Sequence, residues 1–414
     1  MSHDRARHAE SAINLALRDT SVVIVNGAKQ AGHTTLVGAV AEGHAESLQR
    51  QLTQPNQLLA ARHDPAEFAR HQGLLIVDGV QRAPELIVAI ANTVERDNRP
   101  GQFLLTSSTR SFASRSPGAE LRADSERIEL WPLSQGEIDG SADRFVDAVF
   151  GDVRLQTAGR LARADYFERA LRGGFPEAVM REPGRRGRFF EGYISDLIGH
   201  DIAHLGGVKR RHELGRLVRL LAGRMVSPLR IENVSNELHI SKNTVERYVS
   251  ILEECFLIER IGAWSNSATT RATSTRKLVF VDSGLAAHLA GFTTSRLGRD
   301  IDAASSLLTN FVLGELGRQI TWCEALAHLY HYRTRDGDEV DAVIEHNDGR
   351  IVGVDVKASS SLAIEDFRHL NHLRDRTREQ FALGVLLYTG ADVLAFGDRM
   401  IAAPIDALWR TSVD

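Results

Sequence analysis

Two glycines separated by four residues, between an apolar run and a helical pattern, constrain this chain more than any other feature of its sequence. The run at residues 21–25 is apolar, rich in β-branched residues and soon followed by Gly27, which predicts a buried strand. A helix is predicted to begin at Thr34. A strand, a glycine loop and a helix in this order can bind phosphate, because the glycines let backbone N–H groups turn towards an anion.

The loop departs from the usual phosphate-loop pattern at a single position. Residues 27–35 read Gly-Ala-Lys-Gln-Ala-Gly-His-Thr-Thr, whereas the pattern places a lysine directly before the Ser or Thr. His33 stands there instead, and an imidazole is shorter than a lysine side chain and mostly neutral above a pKa of roughly 6.5. We therefore expect weakened nucleotide binding and still weaker hydrolysis. The candidate nucleotide contacts are Gly27, Lys29, Gly32, His33, Thr34 and Thr35.

A second predicted strand, at residues 74–78, ends in an acid that is suited to orient a metal ion. The metal candidate is Asp78, and ATPases of the AAA type usually follow this Asp with a Glu that polarises the attacking water. Gly79 occupies that position here. The expected ligands are ATP and Mg²⁺, with weak or absent hydrolysis. The alternative is a loop that keeps only the shape of a nucleotide site.

Further motifs follow in order along the chain. Residues 25–36 are similar to a Gly-Ala-Arg-Gln-Val-Gly-Lys-Thr-Thr-Leu signature, and residues 78–86 to Asp-Glu-Ile-Gln-Arg-x-Pro-x-Leu. Together they resemble a prokaryotic AAA-like ATP-binding family with a C-terminal domain of unknown function. The resemblance implies degenerate nucleotide and acidic motifs here, and a sensor residue at Thr106 or Ser107. AAA-type sites often use an arginine from a neighbouring subunit, so a homo-oligomer is an expected partner state.

The middle of the chain has a helix–turn–helix rhythm at residues 233–259, with Ser241 as the predicted N-cap of the second helix. Lys242, Asn243 and Arg247 on that helix are suited to DNA phosphates or base edges. Seven basic residues lie upstream, between Lys209 and Arg230. DNA contact and a purely structural, winged-helix lid both remain open. The arginine-rich residues 181–188, with Pro and Gly among them, predict a loop.

The last third of the chain carries a second set of chemistry-bearing residues. Asp341 lies on one predicted strand, Asp355 and Lys357 lie on the next, and Glu315 lies on the preceding helix. This set resembles a restriction-endonuclease-like core, in which Asp341 and Asp355 would hold a divalent metal and Lys357 would position or deprotonate water. The four residues are therefore the catalytic candidates of a nuclease. The alternative is the same fold without activity, with its polar residues forming an ion-pair network.

These predictions combine into a multidomain α/β protein. A P-loop AAA-type parallel sheet is expected at 1–155, a helical and winged-helix region at 156–295, and a restriction-endonuclease-like α/β domain at 296–414. A formal charge of -4 excludes a globally basic nucleic-acid coat. No apolar run reaches the roughly 18 residues that span a bilayer, so we expect a cytoplasmic protein without a membrane partner.

The leading functional hypothesis is an ATP-binding AAA-like protein that acts on or near DNA. A metal-dependent DNA nuclease, and a non-catalytic DNA-binding or interaction protein, are the competing hypotheses.

Overall fold

The computed structural model describes residues 6–110, 125–151, 155–157, 161–202 and 210–412. It divides the chain into two compact units. The first runs to Leu133 and takes in Leu252–Leu257 from much later in the sequence, and the second contains the remainder from Ser134 onwards. The three-part division at residues 155 and 295 stays a prediction. Lys209, one of the upstream basic residues, lies outside the described residues.

A five-stranded, wholly parallel sheet forms the centre of the first unit, with the strand order β2-β3-β4-β1-β5. Its strands are β1 Val22–Gly27, β2 Leu48–Gln51, β3 Leu75–Asp78, β4 Phe103–Ser107 and β5 Ser125–Leu130. Helices connect them at His8–Ala16, His33–Glu42, Pro55–His63, Pro65–Phe68 and Glu85–Arg96, with a 3-10 turn at Val80–Arg82. The predicted parallel α/β domain is confirmed.

The three predicted strands of this sheet are its central ones. Every residue of β1 is buried, because a parallel sheet with helices on both faces leaves no strand face in water. An apolar core packs β1, β3 and β4 against Glu85–Arg96, through Ile24, Val77, Ile87 and Leu105 among others. The sequence analysis did not predict β2 and β5, which lie at the two sheet edges and carry polar residues.

The segment Leu252–Leu257 is attached to the first unit through Arg110. The Arg110 backbone N–H donates to the Glu254 carbonyl at 3.0 Å, and its guanidinium lies 4.2 Å from the centre of the Phe256 ring. The same guanidinium forms an ion pair of 2.6 Å with Glu129 of β5. One arginine therefore joins this late segment to the edge of the sheet.

The second unit begins with helices. They are Gln135–Asp139, Phe145–Ala148, Arg163–Arg172, Pro176–Met180, Pro183–Asp196, Arg211–Ala222, Ile231–Leu238 and Lys242–Glu254, with a π-helical turn at Leu197–Asp201. The loop predicted at 181–188 is wrong, because Pro183 stands at the first helical position, where its missing N–H costs nothing and its fixed φ suits the helix. The helix–turn–helix is confirmed. His239, at φ 57°, ends its first helix, and the Ser241 hydroxyl accepts the Thr244 N–H at 3.2 Å.

Two sheets complete the second unit. Strands β6 Ile258–Ile261 and β7 Lys277–Phe280 form an antiparallel pair. The six-stranded sheet has the order β12-β13-β11-β10-β9-β8 and mixes parallel and antiparallel pairs. Its strands are β8 His328–Arg333, β9 Glu339–Glu345, β10 Ile351–Lys357, β11 Phe381–Tyr388, β12 Leu394–Ala395 and β13 Met400–Pro404. The remaining helices are Ala268–Thr273, Ser283–Ala290, Thr294–Leu297, Ile301–Ile320, Arg368–Thr377 and Ala407–Arg410, with 3-10 turns at Ile364–Phe367 and Arg378–Gln380.

The hairpin of β9 and β10 positions the predicted carboxylates. The two strands pair antiparallel, with Ala342 opposite Val354. Their turn closes where the His346 N–H donates to the Arg350 carbonyl at 2.9 Å, and Gly349 takes the left-handed φ of 89° that the turn requires. Asp341 and Asp355 therefore lie side by side at the end of the hairpin away from the turn.

Candidate nucleotide site and carboxylate cluster

The glycine loop lies between the carboxyl end of β1 and the first turn of His33–Glu42. Gln30 and Gly32 take left-handed φ values of 63° and 105°, and this turns the loop back towards the helix. Gly27 is needed for a different reason. A Cβ there would lie 1.9 Å from the Leu130 carbonyl oxygen of β5, so the first glycine allows β1 and β5 to approach this closely. Lys29 is half-buried, and Thr35 is exposed on the helix.

A chain of hydrogen bonds joins the loop to the two neighbouring strands. The exposed Thr34 hydroxyl donates to Asp78 Oδ2 at 2.7 Å. The Thr106 hydroxyl, at the end of β4, donates to the other oxygen, Asp78 Oδ1. Asp78 is thus held between a loop residue and Thr106, one of the two residues that the resemblance names as the sensor. The structure therefore brings together the side chains of Thr34, Asp78 and Thr106, which are far apart in the sequence.

His33 lies beside this chain with an unsatisfied ring atom. Its Nε2 is buried and forms no hydrogen bond with any residue that the structure describes. Burial lowers the pKa of His33 to about 4, although the Asp78 charge opposes the shift, and the Arg7 charge adds to it. The Arg7 guanidinium is close because it donates to the Ala31 carbonyl at 2.8 Å and to the Trp131 carbonyl at 2.7 Å. The loop therefore offers a neutral imidazole where a lysine would offer a permanent charge.

Gly79 differs from a catalytic glutamate in its backbone as well as its side chain. Its φ is 85°, which side-chain-bearing residues rarely adopt. Its N–H donates to the Thr106 hydroxyl at 2.9 Å, so this conformation is part of the same hydrogen-bond chain. The position is therefore built for glycine.

Two further polar atoms at this edge of the sheet are buried without hydrogen bonds. They are Asn26 Oδ1, one residue before the loop, and Gln81 Oε1, three residues after Asp78. The Gln81 amide nitrogen is satisfied, because it donates to the Ser108 hydroxyl at 3.0 Å. Buried polar atoms are normally paired, so unpaired ones need an explanation such as a ligand or water. The sequence analysis did not single out Asn26 or Gln81.

The carboxylate cluster of the second unit consists of Glu339, Asp341, Asp355 and the lysine Lys277. The Asp341 N–H donates to Asp355 Oδ1 at 2.9 Å, and the Val356 N–H donates to Asp341 Oδ2 at 3.2 Å. Burial, reinforced by the Asp341 charge, raises the pKa of Asp355 well above its ordinary value. The prediction that the hairpin brings Asp341 and Asp355 together is confirmed.

Lys277, which the sequence analysis missed as a site residue, stands inside this cluster. Its side chain is 0% exposed, and its Nζ lies 2.9 Å from Glu339 Oε1 and 3.2 Å from Asp341 Oδ1. Burial alone would lower the pKa of Lys277, but the charges on Asp341 and Glu339 raise it above the ordinary value. Lys277 comes 64 residues before Asp341, so no local pattern announces the contact.

The structure does not bring the other two predicted nuclease residues to these carboxylates. Lys357 directs its ammonium to Asp366, with which it forms an ion pair. Glu315 is buried elsewhere, where its Oε2 accepts the Gln135 N–H at 2.9 Å and its Oε1 lies 3.3 Å from Arg318. Burial raises the pKa of Glu315 to about 7. Within the described ranges, neither residue has a hydrogen bond or ion pair to Asp341 or Asp355.

Some of the basic residues around the helix–turn–helix form ion pairs. Arg210 pairs with Glu213, Arg224 with Glu237, and Lys242 with Glu232. Asn243 and Arg247 are exposed on the second helix.

The described part of the chain contains no metal-ligand set, and this includes the carboxylate cluster. Among those residues, no group of three or more His, Cys, Asp or Glu side chains is arranged to hold a metal ion. None of the described helices is both long and apolar enough to cross a membrane.

Comparison with known protein families divides the chain into three matched regions. Residues 19–139 match the family described as an AAA domain. Residues 163–296 and 304–408 match two families, each described as a domain of unknown function. The chain thus combines an AAA domain with a C-terminal domain of unknown function, as the motif resemblance implies.

Relatives and solved structures are similar to this chain at low identity. An uncharacterized protein of Mycobacterium tuberculosis is 25% identical over 99% of this chain and 86% of its own length. One of Haemophilus influenzae is 28% identical over 46% of each chain. A Walker-type ATPase of Pyrococcus abyssi aligns with 14% identity over 69% of this chain and 95% of its own, at a TM-score of 0.42.

Proposed function

We propose that this protein is an ATP-binding AAA-like protein in which nucleotide occupancy, rather than rapid turnover, carries the function. The observation that supports it most directly is the chain Thr34–Asp78–Thr106 beside a glycine loop. Thr34 stands in the first helical turn, where backbone N–H groups and the helix dipole favour a phosphate. The unpaired Nε2 of His33 supplies one more polar atom for a ligand to satisfy.

The side chains at this site also fit Mg²⁺. A hydroxyl and a carboxylate oxygen 2.7 Å apart are ligands of the type that Mg²⁺ accepts, and it usually takes few from the protein and the rest from phosphates and water. Thr34 and Asp78 would hold the ion, which supplies charge neutralisation between the β- and γ-phosphates when bound. Thr106 keeps the Asp78 carboxylate oriented.

Slow hydrolysis follows from what the same residues lack. In the usual phosphate loop, the lysine before the Ser or Thr stabilises the charge that develops on the phosphates. Here His33 takes that position, and burial keeps its imidazole neutral. No side chain extends from position 79 to polarise a water. The protein would therefore bind ATP without rapidly consuming it and act as a nucleotide-dependent switch.

Calorimetric titration with Mg²⁺ and ATP tests the proposal on the full chain. We expect binding by the natural protein, tighter binding by His33→Lys, and no phosphate release above background from the natural protein. Binding that appears only in His33→Lys would show that the loop retains shape without function. Absence of binding in both, with unfolding curves unchanged, would overturn the proposal.

DNA contact is a second candidate function, favoured by the helix Lys242–Glu254. Asn243 and Arg247 are exposed near its start, and Arg247, unlike Lys242, forms no ion pair among the described residues. An antiparallel strand pair follows the helix, as in winged-helix proteins. Fluorescence anisotropy with duplex DNA should show salt-sensitive binding that Arg247→Ala weakens and Arg210→Ala does not. Equal loss in both variants would count against a role for this helix.

A further inference from the structure

Most of the carboxylate oxygens in the cluster are engaged by groups of the chain itself. A nuclease-like metal would need oxygens of Asp341 and Asp355 to converge on one point that also reaches water and phosphate. Three of these four oxygens are already engaged. Asp341 Oδ1 faces Lys277, Asp341 Oδ2 accepts the Val356 N–H, and Asp355 Oδ1 accepts the Asp341 N–H.

The Lys277 ammonium lies among the oxygens of the cluster, where a separate cation would otherwise bind. Its Nζ lies 2.9 Å from Glu339 Oε1, 3.2 Å from Asp341 Oδ1 and 3.5 Å from the Asp341 carbonyl oxygen. An ammonium has three N–H donors, and three oxygens surround this one. Its side chain is fully buried, so the charge cannot leave for solvent without disrupting the packing.

The backbone around Lys277 keeps the ammonium in place. Lys277 is the first residue of β7, and it pairs with Ile261 of β6 on one side and bridges to Pro228 on the other. Arg333 contributes a second positive charge, 2.7 Å from Glu339 Oε2. Two cations of the chain thus face the three carboxylates.

We propose that Lys277 is the resident cation of the carboxylate cluster, so that Asp341 and Asp355 bind no divalent metal while it is in place. The cluster then serves as an ion-pair network that joins strand β7 to strand β9. It does not hydrolyse phosphodiesters. This inference is independent of whether the AAA domain binds ATP.

Manganese alone, titrated into the nucleotide-free full-length protein and followed by electron paramagnetic resonance, tests the proposal. The natural protein and Asp341→Asn should bind Mn²⁺ identically, because Asp341 takes no part. Lys277→Met removes the ammonium while keeping side-chain length, and it should gain a Mn²⁺ site that Lys277→Met with Asp341→Asn lacks. Lys357→Met is the matched control, since its ammonium pairs with Asp366, and it should gain none.

Two results would overturn the proposal. One is a Mn²⁺ site in the natural protein that Asp341→Asn or Asp355→Asn removes while Asp78→Asn leaves it intact. The other is a folded Lys277→Met that gains no site. If Lys277→Met does not fold, the comparison of the natural protein with Asp341→Asn and Asp355→Asn still decides whether these carboxylates hold a metal.

Discussion

The two polar centres of this molecule differ in what they leave unsatisfied. At the nucleotide site, the ring nitrogen of His33 and the amide oxygens of Asn26 and Gln81 are buried without hydrogen bonds. In the carboxylate cluster, Lys277 and the Val356 N–H engage Asp341, and the Asp341 N–H engages Asp355. Unpaired buried groups indicate a place where a ligand completes the structure, whereas paired ones indicate a centre that is already complete. Both centres contain carboxylates that the sequence pattern marks as candidate metal ligands, so residue type alone does not distinguish them.

Removing the internal cation should cause the largest change. Lys277→Ala removes the fully buried ammonium that pairs with Asp341 and Glu339. Because both carboxylates are partly exposed and Glu339 keeps its ion pair with Arg333, we expect a loss of about 3 kcal/mol of unfolding free energy, the lower end for a buried pair broken from one side. Lys357→Ala is the control, because that side chain is 26% exposed and its ion pair is worth about 1 kcal/mol or less. Urea unfolding measures both. Equal losses would mean that the cluster is not a complete, self-paired centre.

The nucleotide site should respond to mutation in affinity rather than stability. Thr34→Ala removes a candidate Mg²⁺ ligand and the contact to Asp78, so Mg²⁺-dependent ATP binding should weaken about 10–100-fold. Its unfolding free energy should change by only about 0.5 kcal/mol, because Thr34 is exposed. Thr35→Ala, one residue along the same exposed turn, should weaken binding less. Calorimetry and urea unfolding on the same preparations separate the two effects.

His331 should make the folded protein less stable in mild acid. Burial, with the Lys277 charge adding to it, lowers the pKa of His331 to about 4. An unfolded histidine titrates near a pKa of roughly 6.5, so below that pH the unfolded chain takes up a proton that the folded chain refuses. The free energy of unfolding therefore falls as the pH drops from 6.5 towards 4. The loss reaches roughly 2 kcal/mol by pH 5.

The control for this effect is His331→Gln, which has no titrating ring. Urea unfolding at pH 7 and pH 5 should show that the natural protein loses roughly 2 kcal/mol more than the variant. Parallel losses would show that another group sets the acid sensitivity.

The smallest effect is expected at Gly79. Gly79→Glu should cost about 1 kcal/mol of unfolding free energy, because a side chain must adopt φ 85° there. It should not raise phosphate release when added to His33→Lys, since the backbone does not present position 79 as a catalytic glutamate would. Gly38→Ala, in the helix after the loop, should instead stabilise slightly. A burst of hydrolysis in the double variant would show that only the side chain is missing.

Local pattern predicted the nucleotide site better than the carboxylate cluster. Thr34 follows the predicted strand β1 and Asp78 ends the predicted strand β3, and parallel strands deliver their carboxyl ends to one edge of the sheet. Both residues therefore lie at that edge, although β4 separates the two strands. The β9–β10 hairpin likewise brought Asp341 to Asp355. Lys277 and Lys357 could not be assigned in the same way, because the partner of a long side chain is set by tertiary packing.

The strands of the parallel sheet also divide into those that local pattern predicts and those that it does not. The buried strands β1, β3 and β4 are apolar along their length and were predicted, whereas the edge strand β5 reads Ser-Glu-Arg-Ile-Glu-Leu and was not. Pro183 was misread because a proline at the first helical position looks, in sequence, like a proline in a loop.

The return of Leu252–Leu257 to the first unit governs how the protein can be dissected. A fragment that stops after the fifth strand of the parallel sheet would leave the Arg110 guanidinium without the Phe256 ring and the Glu253 carbonyl. It would also leave the Arg110 backbone N–H without the Glu254 carbonyl. Expression of the AAA domain alone would therefore expose a basic, partly apolar surface around Arg110, which Leu252–Leu257 contacts in the full chain. Cutting the chain between its units is better done by inserting a cleavage site than by truncation, so that the late segment stays in place.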